Sequence, residues 1–124
     1  MSKHAVIPNT GAMSEFVGAF DVPSKLTDQV YRCRFSHLWN GIATRHSDTV
    51  DTKFFVDGRY VVVGLAHTAF AEFATRTGRD LTDREASYVA AEYLRDRLVE
   101  EDEHDLYDVP HADVARIVKR LAIS

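Results

Sequence analysis

The stretch from Lys53 to Gly64, KFFVDGRYVVVG, decides the fold that the sequence predicts. Asp57-Gly58 lies between two runs of β-branched and aromatic residues. Both central positions of a type I′ turn need a positive φ, which Asp tolerates and Gly adopts freely. The stretch therefore predicts a tight antiparallel hairpin. Its two-residue turn fixes four cross-strand pairs: Val56 with Arg59, Phe55 with Tyr60, Phe54 with Val61, and Lys53 with Val62.

The predicted hairpin is apolar on both faces, because side chains alternate along each strand. Its apolar residues form two sets: Phe54, Val61 and Val63 on one face, and Phe55, Tyr60 and Val62 on the other. An open sheet normally avoids exposing a large apolar face. We therefore expect helices to cover one face. The second face is expected to pack on an N-terminal helix, to form an interface or to line an aromatic ligand pocket.

The composition is typical of a folded globular protein. Apolar residues make up 45% and charged residues 27% of the 124 positions, and this length is sufficient to bury a core. We predict a flexible arm over residues 1–12 and a single α+β domain over residues 13–124. The net charge of −4 provides no attraction to nucleic acid or to an anionic membrane, so neither is an expected partner.

The cysteine content and the hydropathy pattern indicate a cytoplasmic location. Cys33 is the single cysteine and has no partner for an intramolecular disulfide, which suits a reducing compartment. No segment approaches the roughly 20 consecutive apolar residues of a membrane span. The N-terminal residues also lack the apolar run of a signal peptide.

Two segments precede the hairpin. Met13, Phe16, Val17 and Phe20 recur at helical spacing and predict a short N-terminal helix. In Val30 to Trp39, alternate positions are apolar or aromatic, which predicts a strand with one shared face: Tyr31, Cys33, Phe35, His37 and Trp39.

The end of this predicted strand is open to two interpretations. Asn40-Gly41 favours a type I′ turn, with Ile42 to His46 returning so that Trp39 pairs with Ile42 and His37 with Thr44. The alternative is a helix from Leu26 to Asn40 that ends at Gly41.

Three helices are predicted after the hairpin. The first carries an apolar stripe from Ala66 to Ala74 and ends at Gly78. The second begins with the capping-box pair Thr82 and Glu85 and runs to about Glu101. The third begins at Pro110. The predicted architecture is therefore α+β: a short N-terminal helix, a four-stranded antiparallel meander, and three helices packed on one face of the sheet.

Four residues are candidates for ligand binding: His37, Trp39, Tyr60 and His67. His37 and Trp39 belong to the aromatic strand face, which either lines a small-molecule pocket or packs in the core. Tyr60 lies on the second face of the hairpin. His67 and Thr68 stand where a strand passes into a helix, so they either assist anion binding by the helix N-terminus or cap the helix.

No catalytic residue, metal site or cofactor is predicted. Cys33 is flanked by Arg32 and Arg34, but on a strand these arginines point to the opposite face. The acidic run at 100–105, with Asp108 and His111, lacks the spacing of a metal-binding loop and is expected to be a solvated connection.

These features favour a non-enzymatic binding or protein-interaction module that self-associates, with a homodimer as the expected form. One alternative is a small-molecule-binding domain or enzyme with an aromatic pocket near Trp39 and His37. A second is a DNA-associated regulator that uses the basic residues Arg116, Lys119 and Arg120 of the last helix.

Overall fold

The computed structural model describes residues 15–40 and 48–124, which form one five-stranded sheet and three helices. The strands are β1 (Ala19–Pro23), β2 (Val30–Asn40), β3 (Thr49–Val56), β4 (Arg59–Ala66) and β5 (Leu106–Val109). The helices are α1 (His67–Thr77), α2 (Asp83–Leu98) and α3 (His111–Arg120). The strands lie in the order β1-β2-β3-β4-β5, and only the β4–β5 pair is parallel.

The hairpin prediction is confirmed. All four predicted cross-strand pairs are present in the register of β3 and β4. Asp57 and Gly58 have φ values of 51° and 83°, as a type I′ turn requires. The predicted division into faces also holds, because Phe54, Val61 and Val63 are at most 2% exposed whereas Tyr60 is 54% exposed.

The predicted N-terminal helix is wrong. Residues 19–23 form β1, which pairs antiparallel with β2. Phe20 and Val22 are both buried, so the strand period of two accounts for them. A two-turn helix gains few hydrogen bonds for the cost of its nucleation, whereas a strand gains ladder bonds at once from a formed neighbour.

The strand prediction for Val30 to Trp39 is confirmed, but not its single face. The register of β2 against β3 shifts between Phe35 and His37, so one extra residue is accommodated there. Cys33 and Phe35 pair with the core-facing residues of β3, whereas His37 and Trp39 fall on the opposite face, with Lys53 and Asp51. The proposed return strand Ile42 to His46 lies outside the described residues, as does the arm at residues 1–12.

The three predicted helices are confirmed, with small changes at their ends. Gly78 ends α1 in the left-handed conformation at φ 82°, and its N–H donates to the Ala74 carbonyl. Thr82 and Glu85 form the predicted capping box, and α2 ends at Leu98. Pro110 is the N-cap of α3.

The helices pack on one face of the sheet and close the core. The largest buried side chains of this covered face come from strands and helices alike: Tyr31, Phe54, Leu65, Phe73, Tyr88, Leu94, Leu98 and Ile117. The antiparallel meander differs from the predicted one, which began at Val30, because its first strand is β1. The fifth strand lies within the predicted solvated connection, where Tyr107 and Val109 are buried against the helices.

Candidate functional site

The second face of the sheet carries no helix of the described residues, and we call it the open face. The strand register brings to it alternate residues of β2, β3, β4 and β5. The aromatic, aliphatic and cationic side chains of the open face include those of Arg34, His37, Trp39, Lys53, Phe55, Tyr60, Val62 and Leu106. Tyr60 is 54% and Leu106 is 47% exposed, values that set them apart from the large apolar residues of the covered face.

A continuous row of stacked side chains crosses the open face, and we call it the stacked row. The Arg34 guanidinium lies 4.6 Å from the centroid of the Phe55 ring. The Phe55 and Tyr60 rings lie 4.3 Å apart, and the Lys53 ammonium lies 4.2 Å from the Tyr60 centroid. Each ring of this part is thus in contact with a cation and with a second ring.

The stacked row continues along β2. The Lys53 ammonium also lies 5.8 Å from the Trp39 ring, and the Trp39 and His37 rings are 5.3 Å apart. His37 is in turn held by Ser36, whose hydroxyl lies 2.9 Å from Nδ1. The register shift in β2 makes this arrangement possible, because without it Arg34 and Trp39 would lie on opposite faces.

The stacked row explains how an apolar face tolerates water. A cation over an exposed ring contributes about 0.5–1 kcal/mol, and it keeps a hydrated charge beside the ring. Arg34 and Lys53 therefore stabilise the exposed rings, whereas the same face is buried toward the start of β3, where Thr49 and Asp51 are at most 4% exposed. The sequence prediction did not include either residue in the site. Lys53 could have been included, because it lies two residues before Phe55 in β3 and therefore shares the face of Phe55 and Tyr60.

Beside the stacked row lies an apolar strip, formed by Phe55, Tyr60, Val62 and Leu106. Leu106 pairs with Val62 across β4 and β5, and Tyr60 pairs with Phe55 across β3 and β4. The four side chains are therefore contiguous. No charged residue of these strands interrupts the strip, although Lys53 adjoins Val62 in the register.

Charge is distributed unequally on the two sides of the apolar strip. The cations Arg34 and Lys53 lie on the side of β2 and β3. The carboxylate of Asp105, which begins the approach to β5, lies on the other side. It is 82% exposed and 3.1 Å from Arg59. Two cations thus lie on one side of the apolar strip, and a carboxylate paired with Arg59 lies on the other side.

Three of the four predicted site residues come together here, and the fourth does not. His37, Trp39 and Tyr60 all belong to the stacked row. They lie in line along a surface, not around a cavity. His67 is the first residue of α1, where its ring stacks on Phe70 at 6.1 Å and borders a small cavity of about 240 Å³.

A larger cavity, of about 520 Å³, adjoins His37 at the edge of β2. Its other walls come from the covered side and from the start of α2: Phe16, Val17, Phe35, Ser36, Leu38 and Asp83. The Phe16 and Phe35 rings stack at 5.3 Å and form its apolar wall. Trp39 and Tyr60 are not part of this wall.

Cys33 is chemically inert in its position. It is 3% exposed, and burial raises the pKa of its thiol to about 12, with a smaller contribution from the negative charges of Asp57 and Asp21. The thiol is therefore protonated at neutral pH, which removes it as a nucleophile.

The charged segments of the C-terminal half pair internally. Arg120 lies 2.7 Å from Asp96 and Arg116 lies 3.3 Å from Asp113, so two of the three basic residues considered for DNA binding have carboxylate partners. Over residues 15–40 and 48–124, no group of three His, Cys, Asp or Glu side chains is placed to hold a metal ion. Within the same ranges, no helix is both long and apolar enough to cross a membrane.

Comparisons of the chain with protein-family models, with curated protein sequences and with solved structures gave no match.

Proposed function

We propose that the protein is a binding module that self-associates, with the open faces of two copies packed against each other. The observation that carries this proposal is the apolar strip, whose members Tyr60 and Leu106 are about half exposed on a face that the helices leave uncovered. Contiguous exposed apolar surface of this kind is characteristic of interaction sites. Aromatic residues with arginine are also the composition favoured in interface centres.

The charged groups on the two sides of the apolar strip favour a second copy as the occupant. A two-fold axis along β4 superposes the apolar strips and sets β3 of one copy over β5 of the other, since these strands flank β4 equally. Lys53 then faces the partner's Leu106, beside the partner's Asp105. Because the contact is isologous, each residue pair across it occurs twice, so a small favourable free energy per pair is doubled in the dimer.

Sedimentation velocity over a range of concentrations tests the proposal. We expect the unmodified protein to sediment as a concentration-dependent dimer and Tyr60→Glu to sediment as a monomer. The substituted carboxylates of the two copies would lie close together at the two-fold axis, and the cost of their repulsion falls on the dimer alone.

Leu26→Glu is the matched control, because Leu26 is 60% exposed but lies between β1 and β2, away from the apolar strip. This variant should dimerise as the unmodified protein does. A monomer at every concentration for the unmodified protein, or equal loss of dimer in both variants, would contradict the proposal.

The cavity beside His37 supports a second candidate function, the binding of a small apolar molecule. Its volume of about 520 Å³ and its Phe16 and Phe35 wall are suited to an aromatic or aliphatic ligand. Trp39 is the only tryptophan and lies 5.3 Å from His37, so its fluorescence reports on this region.

A compound library screened by Trp39 fluorescence tests this second candidate. A ligand of the cavity should lose affinity in Phe16→Ala and keep it in Leu26→Ala. Ligands that bind both variants equally, or no ligand at all, would remove the candidate.

A further inference from the structure

Three polar side chains form a hydrogen-bonded chain where α1 meets α3. The Thr68 hydroxyl lies 2.9 Å from Nδ1 of His111, and Nε2 of the same ring lies 2.6 Å from a carboxylate oxygen of Glu72. Thr68 and Glu72 are one turn apart on α1, and His111 is the first residue of α3. Each ring nitrogen of His111 therefore has one partner, a hydroxyl on one side and a carboxylate on the other.

The two partners determine the proton positions of a neutral His111 ring. An ionised carboxylate only accepts hydrogen bonds, so Nε2 carries the hydrogen and donates it to Glu72. Nδ1 is then the lone-pair nitrogen, and it accepts the hydroxyl hydrogen of Thr68. This is the order of groups that activates a hydroxyl nucleophile: hydroxyl, imidazole base, orienting carboxylate.

The start of α1 provides hydrogen-bond donors beside the Thr68 hydroxyl. The N-cap of this helix is Ala66, and among the described side chains none caps it, contrary to the expectation that His67 or Thr68 would do so. The His67 N–H is engaged by the Asp48 carbonyl. The first N–H groups of a helix have no intrahelical acceptor, so those of Thr68 and Ala69 point out of this end of α1, where they can donate to a substrate oxygen.

A small cavity of about 230 Å³ adjoins both helix starts. Ala66 and Pro110, the N-caps of α1 and α3, line it together with Gly64, Val109 and the acids Asp48 and Asp108. Its apolar part is sized for a short acyl chain.

We propose that Thr68 and His111 are the catalytic residues of an acyl-transfer site, with Glu72 as the positioning residue, and that its substrates are esters with a short acyl chain. This activity goes beyond the proposed binding function and uses no residue of the stacked row or of the apolar strip.

The reaction proceeds in two balanced steps. Thr68 Oγ1 forms a bond to the ester carbonyl carbon as its hydrogen passes to Nδ1 of His111, and the carbonyl electron pair moves to oxygen beside the helix N–H groups. Collapse of this species breaks the bond to the alcohol oxygen, which leaves with the hydrogen from His111. Water then attacks the acyl-threonine in the same way, which releases the carboxylic acid and restores Thr68.

Hydrolysis of p-nitrophenyl acetate by the full chain, followed by proteolysis and mass measurement of the peptides, tests the proposal. We expect Thr68→Ala and His111→Ala each to lower kcat/KM at least about 100-fold, and Thr68→Ser to retain activity because it keeps the hydroxyl. Glu72→Gln should lower kcat with KM unchanged, since it orients the base and does not touch the ester. A single acetyl group should appear on the peptide that contains Thr68.

His104→Ala is the matched control. His104 also pairs with a carboxylate, Asp102, at 2.9 Å, and its side chain is 58% exposed. It therefore reports the hydrolysis that any surface imidazole gives, and its removal should leave the rate unchanged. Equal rates for the unmodified protein and Thr68→Ala, or acetylation at other residues alone, would overturn the proposal. Circular dichroism of each variant checks that the fold is retained, and an inactive Thr68→Ser variant that is folded would also overturn it.

Discussion

Both faces of the sheet carry large aromatic side chains, and the two faces surround these rings differently. Phe54 and Phe55 are adjacent in β3, yet Phe54 is fully buried under the helices and Phe55 lies on the open face. Phe54 contacts the Phe20 and Phe35 rings edge to face, at 6.2 and 5.5 Å. Phe55 lies between Tyr60 and the guanidinium of Arg34.

This difference shows what each face does. The covered face removes apolar area from water and supplies most of the stability. The open face keeps its rings at the surface and offsets their exposure with cations, so its apolar strip stays exposed, as the proposed dimer requires. Three substitutions or pairs of substitutions measure how far this division holds.

The largest effect is expected from truncating the two adjacent phenylalanines. Phe54→Ala should lower the free energy of unfolding by about 3–5 kcal/mol, because it leaves a cavity in a packed core. Phe55→Ala should cost about 1 kcal/mol, the loss of one ring pair and one cation contact. Urea unfolding followed by circular dichroism measures both. Equal losses of unfolding free energy would show that Phe55 is as well packed as Phe54, and would contradict the difference between the two faces.

The next effect is a loss of stability in alkali that comes from the covered face. Burial raises the pKa of Tyr107 from 10.0 to about 12, and the nearby charges of Asp102 and Glu103 add to the shift. Its hydroxyl donates to the Asp102 carbonyl at 2.7 Å. The unfolded chain therefore loses this proton at lower pH than the folded chain does.

The raised pKa of Tyr107 fixes the direction in which the free energy of unfolding changes with pH. Tyr107 contributes its full stability below pH 10, and this is lost as pH rises from 10 toward 12, a total of about 2–3 kcal/mol. Tyr107→Phe should flatten the fall in unfolding free energy over this range, at the cost of about 1 kcal/mol near neutrality. An unchanged slope in the variant would show that other groups cause the alkaline loss.

The smallest effect is the coupling between Lys53 and Tyr60 in the stacked row. A double-mutant cycle with Lys53→Ala and Tyr60→Ala should give a coupling of about 0.5–1 kcal/mol in monomer stability. A cycle of Lys53→Ala with Leu26→Ala should give none, because Leu26 lies outside the stacked row. Zero coupling in the first cycle would show that the contact between Lys53 and Tyr60 does not stabilise the exposed ring.

Local signals predicted much of the fold. The Asp57-Gly58 turn, the Thr82 and Glu85 capping box and the Gly78 helix end each depend on a few adjacent residues, and all three are present. Long-range pairing accounts for the errors. β1 is stabilised by its antiparallel pairing with β2. β5 is stabilised by its parallel pairing with β4, which lies more than 40 residues away in the sequence.

The candidate site could be predicted only in part for a similar reason. Trp39, His37 and Tyr60 were identified by residue type, but their shared face depends on the register shift between Phe35 and His37. A strict period of two places His37 and Trp39 with the core residues of β2. No local pattern in β2 indicates the extra residue, because the shift is set by pairing with β3.

Mixing two charge-reversed variants tests the central claim most directly, that the open face binds a second copy. Lys53→Glu and Asp105→Lys should each dimerise weakly alone, because each sets like charges across the two-fold axis. Their mixture should form a heterodimer, in which every cross-axis pair again has opposite charges. Native mass spectrometry of the separate and mixed proteins gives the answer. Recovery of dimer in the mixture alone is the predicted result, and equal association in all three samples would contradict the account.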